Sequence, residues 1–265
     1  MLELRYRVVD VFSDRPLAGN ALCVVLDPCL PDVMARIARE VKLSETTFPT
    51  VTGAGAYDVR ILTPTSELPF AGHPTIGTAW VLGPGTWAQT SPGATVTVEA
   101  DAGGARMTQP APTFVASPPD AAAVALGLAG AEGCWVAEAG GVRHLIVATE
   151  APIDTLTPDL RAVGAAIAAA GAGCATLAVV RRRDDRTLHV RVFAPGMGIA
   201  EDPGTGSAAG PIATMAHRLW STDAGLTIHQ GSEIGRPCVI EVEVGDDGPV
   251  VGGRVSACAE GRFTL

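Results

Sequence analysis

Val59-Arg60-Ile61-Leu62-Thr63-Pro64, followed by Gly72-His73-Pro74-Thr75-Ile76-Gly77-Thr78-Ala79, has a counterpart later in the chain. There Val190-Arg191-Val192-Phe193-Ala194-Pro195 is followed by Glu201-Asp202-Pro203-Gly204-Thr205-Gly206-Ser207-Ala208. The two pairs of segments keep their order at an offset of about 130 residues, close to half the chain. Each copy reads as a strand ending at proline, a short loop, and a polar residue before Pro at the mouth of a helix of small residues. His73 aligns with Asp202 and Pro74 with Pro203. The chain therefore reads as two copies of one unit, 1–114 and 115–265, with a last strand that crosses back to the first half. The boundary is expected in Pro110–Asp120, where four prolines disfavour regular structure.

Working outward, period-two apolar runs predict strands at Arg7–Val11, Ala21–Leu26, Tyr57–Leu62 and Thr95–Glu99, then at His144–Ala148, Thr176–Val180, Thr187–Phe193 and Val239–Val244. Helices are predicted at Asp32–Val41, Thr75–Leu82, Pro158–Ala170 and Ser207–Leu219, with Asp32 as N-cap and with Pro74 and Pro203 at helix openings. Strands outnumber helices. That argues against βαβ crossovers and for an α+β fold: two similar halves related by pseudo-two-fold symmetry, each a curved, mostly antiparallel sheet around a central helix. If the halves face each other, the two matching helix N-termini converge on one cleft and favour an anion such as a carboxylate. Glycines at 72, 77, 204 and 206 would let a ligand approach the backbone.

The bulk numbers narrow the function. The chain has 265 residues, 47% hydrophobic and 18% charged, with a net charge of −9 and a pI near 5.0. It offers no basic surface to nucleic acid; Arg181-Arg182-Arg183, followed by Asp184-Asp185, reads as a solvated hairpin tip. Cys23, Cys29, Cys134, Cys174, Cys238 and Cys258 form no C-x-x-C pair and no zinc spacing, so they read as buried free thiols in a reducing cytoplasm, with no metal site. The first ten residues lack the features of a signal peptide. Ala162–Val180 carries no charge, but Gly171 and Gly173 split it into an Ala-rich helix and a strand rather than a membrane span. Gly204-Thr205-Gly206-Ser207-Ala208-Ala209-Gly210 has G-x-G-x-x-x-G spacing and no supporting strand–helix context for a dinucleotide.

Three polar groups are candidates for chemistry. Glu45, in L-S-E-T-T-F (43–48), falls where a strand begins after the first helix. His73 and Asp202 occupy equivalent repeat positions. Taken singly, each has a structural reading, as an exposed or capping glutamate, a satisfied core histidine and an N-cap; their joint placement favours a site.

Five ordered segments resemble the PhzF family of phenazine biosynthesis, whose fold is shared with diaminopimelate epimerase. They are F-S-D-R-P-L-A-G-N (12–20), A-R-E-V-K-L-S-E-T-T-F (38–48), T-P-T-S-E-L-P-F-A-G-H-P-T-I-G (63–77), E-D-P-G-T-G-S-A-A-G (201–210) and H-Q-G-S-E-I-G-R-P (229–237). Lys42 stands where the pattern has Asn. The resemblance implies a cofactor-independent isomerase in which Glu45 is the acid/base. His73 and Asp202 would position substrate and assist proton movement, and Ser44, Gly72, Gly206 and Ser207 would line its carboxylate and amino groups. It implies a small carboxylic acid substrate, such as trans-2,3-dihydro-3-hydroxyanthranilate, a natural-product pathway and a homodimer. Partial burial would raise the Glu45 pKa towards neutrality, and hinge motion near 110–120 would close the site. Two other functions remain open: a two-thiol racemase or epimerase on the same fold, with Cys174 at the repeat position of Glu45, and a non-catalytic ligand-binding protein.

Overall fold

The strand-rich pattern builds a sheet-dominated α+β chain, described by a computed structural model over residues 2–117 and 120–265. In chain order the first elements are β1 (Glu3–Val11), β2 (Asn20–Val25), α1 (Pro31–Val41), β3 (Glu45–Gly53), β4 (Ala56–Leu62), β5 (Glu67–Leu68), α2 (Gly72–Leu82), β6 (Gly85–Ser91), β7 (Ala94–Ala100) and β8 (Gly104–Thr108). Next come β9 (Thr113–Ala116), α3 (Asp120–Leu126), β10 (Gly133–Ala139), β11 (Val142–Ala148), α4 (Leu160–Ala169), β12 (Cys174–Arg182), β13 (Thr187–Ala194) and β14 (Ile199–Asp202). The chain ends with α5 (Gly206–Trp220), β15 (Gly225–Gln230), β16 (Cys238–Glu243) and β17 (Val250–Thr264). Contacts divide the chain into Met1–Thr108 with Gly252–Leu265, and Gln109–Val251. That division falls ahead of the expected 114/115. Part of the expected 110–120 boundary, Pro118-Pro119, lies outside the described residues.

In the first unit β1 pairs antiparallel with β2 and with the far end of β17. β2 pairs parallel with β3, β3 antiparallel with β4, β4 parallel with β6, β6 antiparallel with β7, and β7 antiparallel with β8. Pro49 is tolerated inside β3 because only Glu45–Thr47 pair on the β2 side. Beyond them that flank is an edge, where a missing N–H breaks no ladder. Helix α2 is apolar on nearly every face and buried from Gly72 to Ala79. It packs against β1, β2, β3, β7 and β8, so the sheet wraps around it. Helix α1 is amphipathic and covers the outer side, placing Ile37 and Ala38 among Leu4, Cys23, Val25, Phe48 and Leu62.

In the second unit β9 pairs antiparallel with β10, β10 antiparallel with β11, β11 parallel with β12, β12 antiparallel with β13, β13 parallel with β15, and β15 antiparallel with β16. Helix α5 is buried over most of its length and packs on β10, β11, β12 and β16. Helix α4 joins an outer apolar cluster with α3 that includes Val147, Ile153, Val163, Leu177 and Phe193.

Most pairings are antiparallel, as expected, but the exclusion of βαβ crossovers is overturned. Helices α1, α2, α4 and α5 each connect two strands that pair in parallel. Strand count could not reveal this, because each parallel pair is flanked by hairpin partners that raise the count. The 110–120 segment also holds a strand, β9, despite its prolines. Pro110 and Pro112 precede it, and four residues suffice for one edge pairing with β10.

Two details differ, at the first helix start and at the cysteines. Helix α1 opens one residue earlier than expected, with Leu30 as N-cap, Pro31 at its first positions and Asp32 in the first turn. There a carboxylate still complements the helix dipole. Only Cys23, Cys134 and Cys238 are buried; Cys29, Cys174 and Cys258 are half-buried. No helix among the described residues is long and apolar enough to cross a membrane. Ala162–Val180 divides at Gly171 and Gly173, both at positive φ, into α4 and β12.

Candidate active site

The first cluster forms where β2, β3 and α2 meet. β3 starts at Glu45, in register with Leu22 of β2. α2 starts at Gly72, so His73 lies in its first turn. Their side chains meet with His73 Nε2 3.3 Å from Glu45 Oε2, at 5% and 8% side-chain exposure. On the other ring nitrogen, Asn20 Nδ2 lies 3.2 Å from His73 Nδ1. Asn20 is 1% exposed. Burial pushes the His73 pKa down to about 3, so the imidazole is neutral at physiological pH.

A polar frame behind this trio fixes α2. Tyr57 Oη donates to Gln89 Oε1, and Gln89 Nε2 donates to Thr75 Oγ1, both at 2.8 Å. Thr75 Oγ1 in turn donates to the Ala71 carbonyl. The Thr47 and Thr78 hydroxyls, 2.8 Å apart, link β3 to α2. Ser44 is half-buried beside Glu45, and Gly72 is buried at the helix start. Gly77 has a packing role rather than the ligand-approach role its motif suggests. A Cβ there would lie 2.7 Å from Leu22 Cδ2 and 2.8 Å from Val11 Cγ2, so its absence lets α2 rest on β1 and β2.

The second cluster surrounds the start of α5. Asp202 is the last residue of β14 and buried at 8% exposure. The N-cap of α5 is Thr205, not Asp202. Thr205 Oγ1 donates to Asp202 Oδ2 at 2.5 Å. Gln230, on β15, donates through Nε2 to the Asp202 carbonyl at 2.8 Å and to Thr205 Oγ1 at 3.0 Å, and accepts from Thr205 N–H at 3.2 Å. His73 therefore lies inside the first turn of its helix, whereas Asp202 lies ahead of its own. The sequence alignment paired them, but the helix starts do not.

Gly206 and Ser207 open α5, with the Gly206 carbonyl accepting from Gln109 Nε2 at 2.8 Å. Pro211, inside α5, has no N–H to offer the Ser207 carbonyl four residues back. The fully buried His144 lies against this turn. Burial pushes its pKa down to about 4, opposed by a hydrogen bond with the Ser207 backbone. Its Nδ1 is 2.9 Å from Thr176 Oγ1.

Cys174 is the first residue of β12, yet its environment differs from that of Glu45. It packs against the α4 cluster, and burial raises its thiol pKa, which disfavours the thiolate a base would need. Asn20, Gln230, Thr205 and His144 went unassigned at the sequence level. Asn20 does carry a signal, being the lone polar residue at the start of the apolar strand β2. Among the described residues no group of three or more His, Cys, Asp or Glu could hold a metal ion.

Residues 9–255 match the family model described as phenazine biosynthesis-like protein, PhzC-PhzF. The chain is 37% identical over 290 residues to the trans-2,3-dihydro-3-hydroxyanthranilate isomerase of Pseudomonas aeruginosa, covering 98% of this chain and 99% of that one. A solved structure of a predicted epimerase from Pseudomonas aeruginosa aligns with a TM-score of 0.84 at 28% identity, covering 99% of each chain. A PhzF-family phenazine biosynthesis protein from Enterococcus faecalis aligns with a TM-score of 0.81 at 28% identity, covering 100% of each chain.

Proposed function

The chain belongs to the phenazine biosynthesis-like (PhzC-PhzF) family and is an isomerase, and from that premise we propose that Glu45 is the acid/base that moves a proton on a small cyclic amino or carboxylic acid. The observation that carries this reading is the buried contact between Glu45 and a neutral His73. A solvated structural glutamate would have no reason to lie at 8% side-chain exposure against an imidazole, because burying a carboxylate without compensation is costly. One carboxylate that removes a proton from carbon and returns it to another carbon of the same molecule needs neither a metal nor a redox cofactor. As the C–H bond breaks, its electron pair enters the conjugated system and the proton forms the Glu45 O–H. Redelivery at a second carbon shifts the double bonds and restores the carboxylate.

Asp202 completes the proposed set, with its carboxylate oriented by Thr205. Ser44, Gly72, Gly206 and Ser207 are proposed to receive the substrate's carboxylate and amino groups. The two units are proposed to be copies of one ancestral unit, each wrapped around its own helix. The matching order of antiparallel and parallel pairings, β1–β4 with β6 and β7 against β10–β13 with β15 and β16, supports this.

The proposed substrate class is that of the Pseudomonas relative, a dihydro-hydroxyanthranilate. Incubating the protein with trans-2,3-dihydro-3-hydroxyanthranilate and following the ring protons by NMR tests it. Rearrangement is expected with the wild-type protein and loss of it with Asp202→Asn. Unchanged substrate in the presence of folded wild-type protein would refute this substrate and direct the search to other unsaturated cyclic amino acids.

A further inference from the structure

The polypeptide invests unusual local structure in placing Asn20. The segment between β1 and β2 contains Phe12 at φ 64°, Leu17 at φ 63° and Gly19 at φ 69°. Left-handed conformations are costly for Phe and Leu and persist only when surroundings enforce them. Here the enforcement is visible. Asp10, 1% exposed, accepts the Leu17 N–H at 2.7 Å, and Ser13 Oγ both accepts the Arg15 N–H and donates to the Arg15 carbonyl. At Gly19 a Cβ would stand 2.8 Å from Ser13 Cβ and would collide with the Val11 carbonyl, so only glycine fits. The strap ends at Asn20, whose side chain meets His73.

An amide NH₂ can only donate, so a contact from Asn20 Nδ2 requires His73 Nδ1 to be the unprotonated, accepting nitrogen. In a neutral imidazole the single proton is then on Nε2, the nitrogen facing Glu45.

We propose that Asn20 is a positioning residue that locks His73 in the tautomer with its proton on Nε2, keeping a neutral N–H donor beside Glu45 and making His73 a donor during turnover, not a proton relay. The inference rests on the reading of Glu45 as the acid/base and specifies how its carboxylate is used. The Nε2–H lies 3.3 Å from Oε2 without the alignment of a hydrogen bond, and once it swings onto Oε2 the proton taken from substrate is carried on Oε1. His73 cannot accept it, because Nε2 already holds a proton and Nδ1 receives a donor. Returning the proton regenerates the carboxylate, and His73 has gained and lost nothing.

Imidazole ¹⁵N NMR of histidine-labelled full-length protein tests the lock without needing a substrate. The His73 signals are identified by their disappearance in His73→Gln. The expected wild-type spectrum has a protonated Nε2 and a bare Nδ1, unchanged between about pH 6 and about pH 8. In Asn20→Asp the donor becomes an acceptor. The proton should move to Nδ1, and solvent deuterium exchange into substrate should fall by about 10–100-fold, the usual effect of losing an orienting partner. A proton on Nδ1 in the wild type, or an unchanged tautomer in folded Asn20→Asp, overturns the proposal. If Asn20→Asp does not fold, the wild-type spectrum decides alone. Protonated Nε2 in a wild-type protein that exchanges no deuterium upholds the lock and counts against the acid/base reading instead.

Discussion

At the scale of single residues, the account turns on Glu45 and its contrast with Cys174. Each is the first residue of a strand that follows an outer helix. Glu45 contacts an imidazole, whereas Cys174 packs on the α4 cluster with a raised thiol pKa. Cys174→Ser should therefore leave turnover within a few-fold of wild type. Loss of turnover in a folded Cys174→Ser protein would restore a two-base racemase mechanism. Glu45 and His73 stood out in the sequence because charged or titratable groups interrupt apolar runs. Their contact was not legible, since it depends on the β2–β3 register and the start of α2. Asn20 was part of a quoted motif but had no role there, because nothing in F-S-D-R-P-L-A-G-N shows that the strap aims its amide at the ring.

At the scale of elements, β13 and β14 present Asp202, and a buried ion pair holds them together. Arg191 meets Glu201 through two hydrogen bonds, Nε to Oε1 at 2.9 Å and Nη2 to Oε2 at 2.8 Å, with side-chain exposures of 7% and 8%. Its Nη1 also donates to the carbonyls of Ile153 and Leu156. Removing one member leaves the other charge buried and unmatched. Arg191→Ala should therefore cost about 3–5 kcal/mol of stability in urea or thermal unfolding; a loss below about 1 kcal/mol would show that the pair is dispensable. The strap before β2 makes an equally local prediction. Gly19→Ala places a Cβ into the Val11 carbonyl at a positive φ and should destabilise by more than about 1 kcal/mol in the same experiment. The predicted strands and helices mostly coincide with observed elements because period-two and period-3.6 patterns are local. The parallel crossovers were not legible, because strand partners are chosen by packing across the sheet. For the same reason Gly77 looked like a ligand-facing glycine when it is a contact between α2 and two strands.

At the scale of the whole molecule, buried histidines set a direction for pH dependence. His144 is held neutral with its pKa pushed from 6.5 down to about 4 by burial. Below pH 6.5 the unfolded chain takes up a proton that the folded chain refuses, so the stability it provides is complete above that pH and falls as pH drops towards 4. The slope is about 1.4 kcal/mol per pH unit for such a group, and the buried His73 acts in the same direction. Denaturant midpoints measured between about pH 7 and about pH 4.5 should fall accordingly, and His144→Gln should flatten the fall. A midpoint that rises on acidification would contradict the neutral assignment. The internal repeat was legible in two short segments, and it foretold two helices opening beside polar groups. It also misled, by aligning His73 with Asp202 although one lies within its helix and the other ahead of it.

The central claim is that Glu45 carries the transferred proton, and deuterium incorporation from D₂O into trans-2,3-dihydro-3-hydroxyanthranilate, compared between wild type and Glu45→Gln, tests it most directly. The account predicts rearranged, deuterated product from the wild type and a rate about 10²–10⁴-fold lower from a Glu45→Gln protein with unchanged circular dichroism. Rearrangement at the wild-type rate by Glu45→Gln would contradict it.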